Sequence, residues 1–301
     1  YIEAETPVLQ PIYGGANARP FTTHHHTLDE KLYLRIAVEL YLKRLIIGGF
    51  DKIYEISKNF RNEGMDRNHN PEFTMLEFYQ SYSDVYDMMN LTEEMVRKVS
   101  SSISPGKFDF NNNEIDFSED FRRITLNELF EKEFKIKNLL FNEKELTRIA
   151  KKLSIDDTLP YGAMVDKIFS LNIEPNLIQP TFVLDFPKAI SPLSKIKRDQ
   201  SEDVVERFEL FIGGMEIANA FTELNDPIDQ RERFMSQEKL KAKGDAEAQM
   251  LDENFLSAME VGMPPTGGVG IGIDRMVMIL TGQKSIKDVI LFPAMRTVKN
   301  S

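Results

Sequence analysis

Two stretches of alternating sequence carry acidic and basic side chains at spacings that could do chemistry. In DKIYEISKNFRNE, Asn59, Arg61 and Glu63 share one face of a strand, and in EFTMLEFYQSY, Phe73, Met75, Glu77 and Tyr79 share one face of another, because strand side chains alternate with period two. GMDRNHNP lies between them, so the pair reads as an antiparallel hairpin with a long polar loop. If the two faces coincide, one surface presents an arginine, an aromatic ring and several carboxylates. A solvated sheet face would use the same residues, since exposed charges on sheets are common.

A second hairpin is read from ERFELFIGGMEIANAFTEL, with Gly213 and Gly214 as its two-residue turn. That turn sets Phe211 opposite Glu216 and Glu209 opposite Ala218, so Glu209 and Glu216 become diagonal neighbours about 7 Å apart. Divalent ions bound through oxygen bridge such a span directly or through water, and magnesium is the natural candidate. Two solvent-facing acids that merely repel are the alternative. Strict alternation places Asn219, Phe221 and Glu223 on the opposite face from Glu216; a β-bulge near Ile217 or Ala218 would reunite all five.

In GVGIGIDR the glycines strip a strand of side chains and Arg275 falls where a helix begins, an arrangement that suits a polyphosphate. Glycines also permit close helix-to-strand packing, and neither a P-loop nor a dinucleotide fingerprint is present. His24, His25 and His26 are consecutive and lack the separated ligand spacing that zinc prefers. His69, in the hairpin loop, is the better candidate for ligand contact.

The elements that must position these residues follow from periodicity. YIEAETPVLQP reads as a short strand ended by Pro7 and Pro11, GGANARPF as a Gly-rich loop, KLYLRIA as a strand, and VELYLKRLIIGGF as a helix that stops at Gly48 and Gly49. A helix over 85–100, a small hairpin at 111–113 and a lysine-rich helical stretch over 125–172 come next. That stretch carries no chemical constellation and reads as an insertion solvated on its charged face. TFVLDFP is a strand, 227–243 and 246–261 are helices, GGVGIGIDRMVMILTG is a strand running into a helix, and DVILFPAM, residues 288–295, is a last strand. Antiparallel pairs with helices between them argue an α+β fold.

Composition sets the outer bounds. The 301 residues hold 37 Lys+Arg against 48 Asp+Glu, a formal charge of -11, and no Cys. Disulfides and thiol chemistry are excluded, and a long nucleic acid is not gripped by this chain alone, since that needs clustered cations. No stretch approaches eighteen apolar residues, so membrane spanning is unsupported and a cytoplasmic protein is expected. The chain opens without Met on strand-like sequence and reads as a fragment.

These motifs together resemble a family. FRNEG followed by HNPEFTMLEFY resembles motif 2 of the class II aminoacyl-tRNA synthetases, GIGIDR resembles motif 3, and YIEAETPVL resembles the end of motif 1, with Pro7 as its proline. Within that class, GGANARPF, LRIAVELYLKRL, FIGGMEIANAFTELND and LFPAMR are similar to lysyl-tRNA synthetases. The resemblance covers nearly the whole chain and implies a six-stranded antiparallel sheet flanked by helices, split by the insertion into catalytic parts at 1–120 and 179–301 around 121–178. It implies activation of L-lysine by ATP to lysyl-adenylate, then transfer to the 3′ end of tRNA(Lys), with Mg²⁺ assisting and a homodimer in the full-length protein.

Roles follow by resemblance. Arg61 holds the α-phosphate and the lysine carboxylate; Asn62, Glu63, His69 and Asn70 contact the nucleotide; Phe73 and Arg275 sandwich adenine; Ile217, Gly272, Ile273 and Asp274 line the ATP site; Glu209 and Glu216 carry magnesium. For lysine, Glu39 and the backbone of Gly15 receive the α-amino group and Asn219 helps fix the carboxylate. Glu77, Tyr79 and Glu223 enclose the ε-ammonium, with Phe221 beside the aliphatic stem.

This sequence departs from the family pattern at Val38, where many relatives have proline, and at Ala218 and Ala220, where glycines are common; an added methyl would narrow the pocket. The motif 1 helix and the anticodon-binding OB-fold of the family precede Tyr1, so the chain is expected to bind lysine and ATP but to charge tRNA poorly. Competing readings are the paralogue that attaches β-lysine to a translation elongation factor, elongation factor P, and a non-catalytic regulatory paralogue. The second conflicts with retention of Arg61, Arg275, Glu209 and Glu216.

Overall fold

The computed structural model describes residues 1–198, 203–242 and 247–295. In chain order the elements are β1 (Ile2–Glu3), β2 (Leu9–Gln10), β3 (Thr22–His25), β4 (Glu30–Leu34), α1 (Glu39–Ile47), β5 (Lys52–Phe60), β6 (Glu72–Ser81), α2 (Val85–Ile103), β7 (Lys107–Phe110), β8 (Asn113–Asp116), β9 (Arg122–Thr125), α3 (Leu126–Phe134), α4 (Glu143–Lys152), α5 (Tyr161–Asn172), β10 (Thr181–Leu184), β11 (Arg207–Ile212), β12 (Met215–Thr222), α6 (Pro227–Ala242), α7 (Glu253–Gly262), β13 (Thr266–Gly272) and α8 (Ile273–Thr281). Strands and helices interleave, with hairpins at β3–β4, β5–β6, β7–β8 and β11–β12, and the fold class is α+β.

The chain divides into two compact units. The first comprises Tyr1–Ser81, Asn225–Pro264 and Gly270–Ser301. Its centre is the β5–β6 hairpin, paired without a break from Lys52↔Gln80 to Phe60↔Glu72. Helix α1 packs its Leu42 and Ile46 with Val38, Ile53 and Tyr79 in an apolar cluster, and it stops at Gly48 and Gly49 as the sequence predicts. Strand β4 forms a small antiparallel sheet with β2 and β3.

The second unit comprises Tyr82–Leu224 and Pro265–Val269. Helix α2 is started by an Asp84 and Asp87 capping box, and α3 by Thr125 and Glu128. Asn111 and Asn112 both take positive φ, 49° and 64°, as the tight β7–β8 turn requires. The lysine-rich stretch is helical as expected. It also has an apolar interior of its own: Leu126, Phe130, Leu140, Leu146 and Ile168 form one buried cluster with Val183 of β10 and Phe211 of β11.

Several expectations are corrected. The opening strand is broken into β1 and β2, because Pro7 interrupts it and lacks an N–H for a ladder. An all-antiparallel sheet is not what forms: β1 runs parallel to β5 and β9 parallel to β10. The second case needs a long crossover, which the α3 to α5 segment supplies. The helix expected over 246–261 begins at Glu253, where Asp252 accepts the Phe255 N–H as its cap; the expected boundaries at Lys243 and Ala246 lie outside the described residues. The last strand over 288–295 does not form. Ile286–Asp288 is a single 3₁₀ turn, and Leu291 and Phe292, each 93% exposed, bury nothing that would hold an extended segment in place.

Candidate functional site

In the first unit, the β5–β6 register puts Asn59 opposite Phe73, Ser57 opposite Met75 and Glu55 opposite Glu77. The faces of Asn59 and of Phe73, Met75 and Glu77 therefore coincide, but β5 ends at Phe60, so Arg61 and Glu63, expected on the same strand face, lie beyond it in the connecting loop. Glu55 and Glu77 are both buried, and directly opposed like charges are unfavourable. Arg35 answers the first of them at 2.7 Å. Glu77 instead accepts the Val38 N–H and the Tyr79 hydroxyl, each at 3.3 Å. Burial first, then the charge of Glu39, pushes the Glu77 carboxyl up to about 7, against the opposing pull of Val38, Tyr79 and Arg61.

Glu39, at the first turn of α1, is buried and bound by Lys43 at 2.5 Å. Gly15 lies against it: φ is +87°, and a Cβ there would come within 2.9 Å of Glu39 Cβ. The Gly15 N–H donates to Gln249 Oε1, which leaves its carbonyl as the group to receive an amine. Arg61 stacks over Phe73, its guanidinium carbon 5.1 Å from the ring centroid. The absence of a side chain at Gly270 of β13 makes room for Met75 and Glu77, whose Cε and Cγ lie 3.0 and 3.7 Å from where a Cβ would stand.

Arg275, in the first turn of α8, reaches His69 Nε2 at 2.9 Å and the Asn68 carbonyl at 3.4 Å. Asp66 holds the other ring nitrogen of His69. Gly272 ends β13 and Ile273 begins α8. Asp274 accepts the Thr74 N–H at 2.6 Å and so ties the start of α8 to β6. Asn70 is buried, with its amide spent on the Glu72 carbonyl and the Ala294 N–H; in this structure it shapes the loop. Asn62 and Glu63 are exposed.

In the second unit, the register between β11 and β12 shifts after Leu210: Phe211 pairs with Glu216, Leu210 with Ala218, and Ile217 is the extra residue. This is the bulge near Ile217 that would reunite the face. Glu209 consequently faces Asn219 rather than Ala218, which corrects the simple count from the turn. Ile217 and Ala218 are both buried, and Glu216, Asn219 and Phe221 then fall on one half-buried face with Arg207 and Glu209. Ala218 and Ala220 are buried on the other side, so their methyls do not narrow this face. Glu223, just past the end of β12, is 1% exposed. The Asn219 Oδ1 is a buried acceptor with no hydrogen-bond partner among the described residues.

Arg207 is the built-in cation of this face. It donates to Glu209, to the Ile190 carbonyl and to Ser191 Oγ, both at 2.9 Å, and it stacks between Phe186 at 4.5 Å and Phe221 at 5.6 Å. Burial pushes the Glu209 carboxyl up to about 8; Arg207 opposes this, while the charges of Glu216 and Asp166 add to it.

Known proteins carry similar sequences. The family model for class II tRNA synthetases (D, K and N) matches residues 1–296. The chain belongs to that family. It is 53% identical over 302 residues to a lysine–tRNA ligase of Porphyromonas gingivalis, covering 99% of this chain and 52% of that protein. It is 54% identical to one of Methanoculleus marisnigri, covering 99% and 59%, and 53% identical to one of Aquifex aeolicus, covering 99% and 51%. The chain thus spans about half of the length of the curated relatives it matches.

For a class II synthetase of this group a divalent ion beside the nucleotide is implied. Glu209 and Glu216 fit one: both are oxygen donors on one face, and their mutual repulsion calls for a further cation beyond Arg207. Among the described residues no group of three or more His, Asp or Glu side chains is placed to hold a metal ion, so the remaining ligands would be water or substrate oxygens. No described helix is long and apolar enough to cross a membrane.

Sequence reasoning passed over Lys43, Arg35 and Arg207. Two of them had a signal: Lys43 stands four residues after Glu39 on one helix, and Arg207 stands two before Glu209 on one strand.

Proposed function

We propose that this chain is the catalytic part of a lysine–tRNA ligase, forming lysyl-adenylate from L-lysine and ATP and passing the lysyl group to the 3′ end of tRNA(Lys). The observation that carries this reading is the buried acidic pair Glu39 and Glu77 with the Tyr79 hydroxyl, in a chain more than half identical to proteins of that name. A buried site of that charge favours an ammonium-bearing substrate, since a neutral or anionic side chain would bring no countercharge to the buried Glu77 carboxylate.

In this reading a lysine carboxylate oxygen attacks the α-phosphorus, the bond to the β-phosphate bridging oxygen breaks, and pyrophosphate leaves. Arg61, beside Phe73, holds the α-phosphate and the attacking carboxylate together, which supplies orientation and offsets growing charge. Phe73 and Arg275 hold adenine between them, and His69, Asn62 and Glu63 meet the nucleotide from the loop after β5. Glu39 and the Gly15 carbonyl take the α-ammonium, Asn219 the carboxylate, Glu77, Tyr79 and Glu223 the ε-ammonium, and Phe221 the stem. Mg²⁺ held by Glu209 and Glu216 would neutralise phosphate charge. The full-length protein would work as a homodimer in the cytoplasm.

Amino-acid-dependent exchange of pyrophosphate into ATP tests this. L-Lysine should support exchange, while β-lysine, aspartate and asparagine should not. Exchange driven by β-lysine, or by an acidic amino acid, would overturn the reading.

A further inference from the structure

Lys43 has no exposed surface at all, although its neighbours in α1 that share the buried face, Leu40, Leu42 and Ile46, are apolar. Burying an ammonium costs several kcal/mol unless a partner repays it. An apolar side chain of similar length would pack there without that cost, so the charge must serve its partner. Glu39 is such a partner: its Oε1 receives the Lys43 Nζ at 2.5 Å.

The geometry around Glu39 explains why such a partner matters. Glu39 stands in the first turn of α1, where the free N–H groups of a helix end attract a carboxylate. Lys43 is one turn further on, at the i+4 position whose side chain lies on the same helix surface. On the other side, Gly15 presses against the Glu39 stem. The carboxylate is thereby drawn toward Lys43, and a donor arriving beside Gly15 meets an acceptor whose orientation is already fixed.

We propose that Lys43 is a positioning residue for the α-amino group of the amino-acid substrate: through its ion pair it holds the Glu39 carboxylate in the orientation that receives that group. This rests on the reading of Glu39 given above. Lys43 itself, being fully enclosed, does not touch the substrate.

Calorimetric binding of L-lysine and of 6-aminohexanoate, which is lysine without its α-amino group, isolates the effect, with a nonhydrolysable ATP analogue as the control for folding. K43M should weaken L-lysine at least about tenfold, the scale of one charge-assisted hydrogen bond. It should leave 6-aminohexanoate and the ATP analogue unchanged within about twofold. K43Q, which keeps a donor but no charge, should fall between K43M and the wild type. Equal weakening of both amines, or of neither, overturns the proposal. If K43M does not bind the ATP analogue, K43Q decides: a wild-type ratio of the two amine affinities overturns it. E39Q separates the two levels of the argument. A ratio that collapses in E39Q but not in the Lys43 variants refutes the role of Lys43 alone. A ratio unmoved by E39Q refutes the assignment of Glu39, and this inference with it.

Discussion

The two hairpins solve one problem in different ways. β5–β6 gathers Asn59, Phe73 and Glu77 by alternation carried through nine consecutive pairs, with Arg61 just past its end, whereas β11–β12 gathers Glu209, Glu216, Asn219 and Phe221 only because Ile217 is held out of the ladder as a bulge. Uninterrupted pairing keeps like charges opposed, and the first hairpin handles this by giving Glu55 to Arg35 and leaving Glu77 partly protonated near neutrality. The slipped hairpin sets Glu209 across from an amide instead of an acid and supplies Arg207 from the same strand. Side-chain order along a strand is therefore no guide to a site until the register is known.

Inserting one alanine between Ala218 and Asn219 is the most severe way to break the comparison. The added residue would send Asn219 and Phe221 to the buried side and Ala220 to the acid face, since a one-residue slip exchanges faces. The expected result is destabilisation by more than about 4 kcal/mol in urea unfolding, with loss of lysine-dependent pyrophosphate exchange. Retention of both would mean that the order of faces along β12 has no part in the site.

A substitution in the unbroken hairpin should do less and act on one ligand. E77Q is expected to weaken lysine binding by 2 kcal/mol or more, about 30-fold, as for other buried charge pairs that lose one partner, and to spare ATP. Its pH dependence has a definite sign. Glu77 rises from 4.5 to about 7, so the folded protein binds more protons there than the unfolded chain. The stability this gives is full below 4.5 and is lost as pH climbs through about 7. Lysine needs the ionised carboxylate, so its affinity should increase between about pH 6 and pH 8 with release of a proton, and E77Q should flatten that profile. A profile as steep in E77Q as in the wild type would assign the titration elsewhere.

The smallest effect is expected from V38P. It restores the proline of many relatives and removes the N–H that Glu77 accepts at 3.3 Å. A net loss of about 1 kcal/mol or less should appear as a few-fold weaker lysine binding and an upward move of the pH midpoint. An unchanged midpoint would mean that this hydrogen bond carries no weight in the titration of Glu77.

Much of this arrangement was legible in the sequence. Both hairpins, α1 with its stop at Gly48, and the strand-to-helix passage at Gly272 follow from period and turn chemistry. The bulge was legible for a different reason: five residues of compatible chemistry could share a face only if one extra residue lay between Glu216 and Asn219. What was not legible depended on partners distant in sequence. Alternation in 288–295 looks like a strand, but it cannot tell whether anything lies beside it, and Leu291 and Phe292 remain in solvent. Lys43 sits among Leu42 and Ile46 in a helical pattern where a lysine is ordinarily taken for surface. The charge of Asp166 on α5 reaches Glu209 from a segment that reads as featureless.

The loop between β5 and β6 is fastened near its start by the Asn62 N–H to the Arg19 carbonyl at 2.7 Å, and further along by bonds to later parts of the chain. The Arg67 carbonyl receives the Ile286 N–H at 2.7 Å, Asn70 receives the Ala294 N–H, and Arg275 grips Asn68 and His69. Any rearrangement of this loop around a bound molecule must therefore either carry the 286–294 segment with it or break those bonds. Residues 286–294 are geared to the loop, so a reporter group on the solvent-facing ring of Phe292 would register events whose cause lies some two hundred positions earlier in the polypeptide.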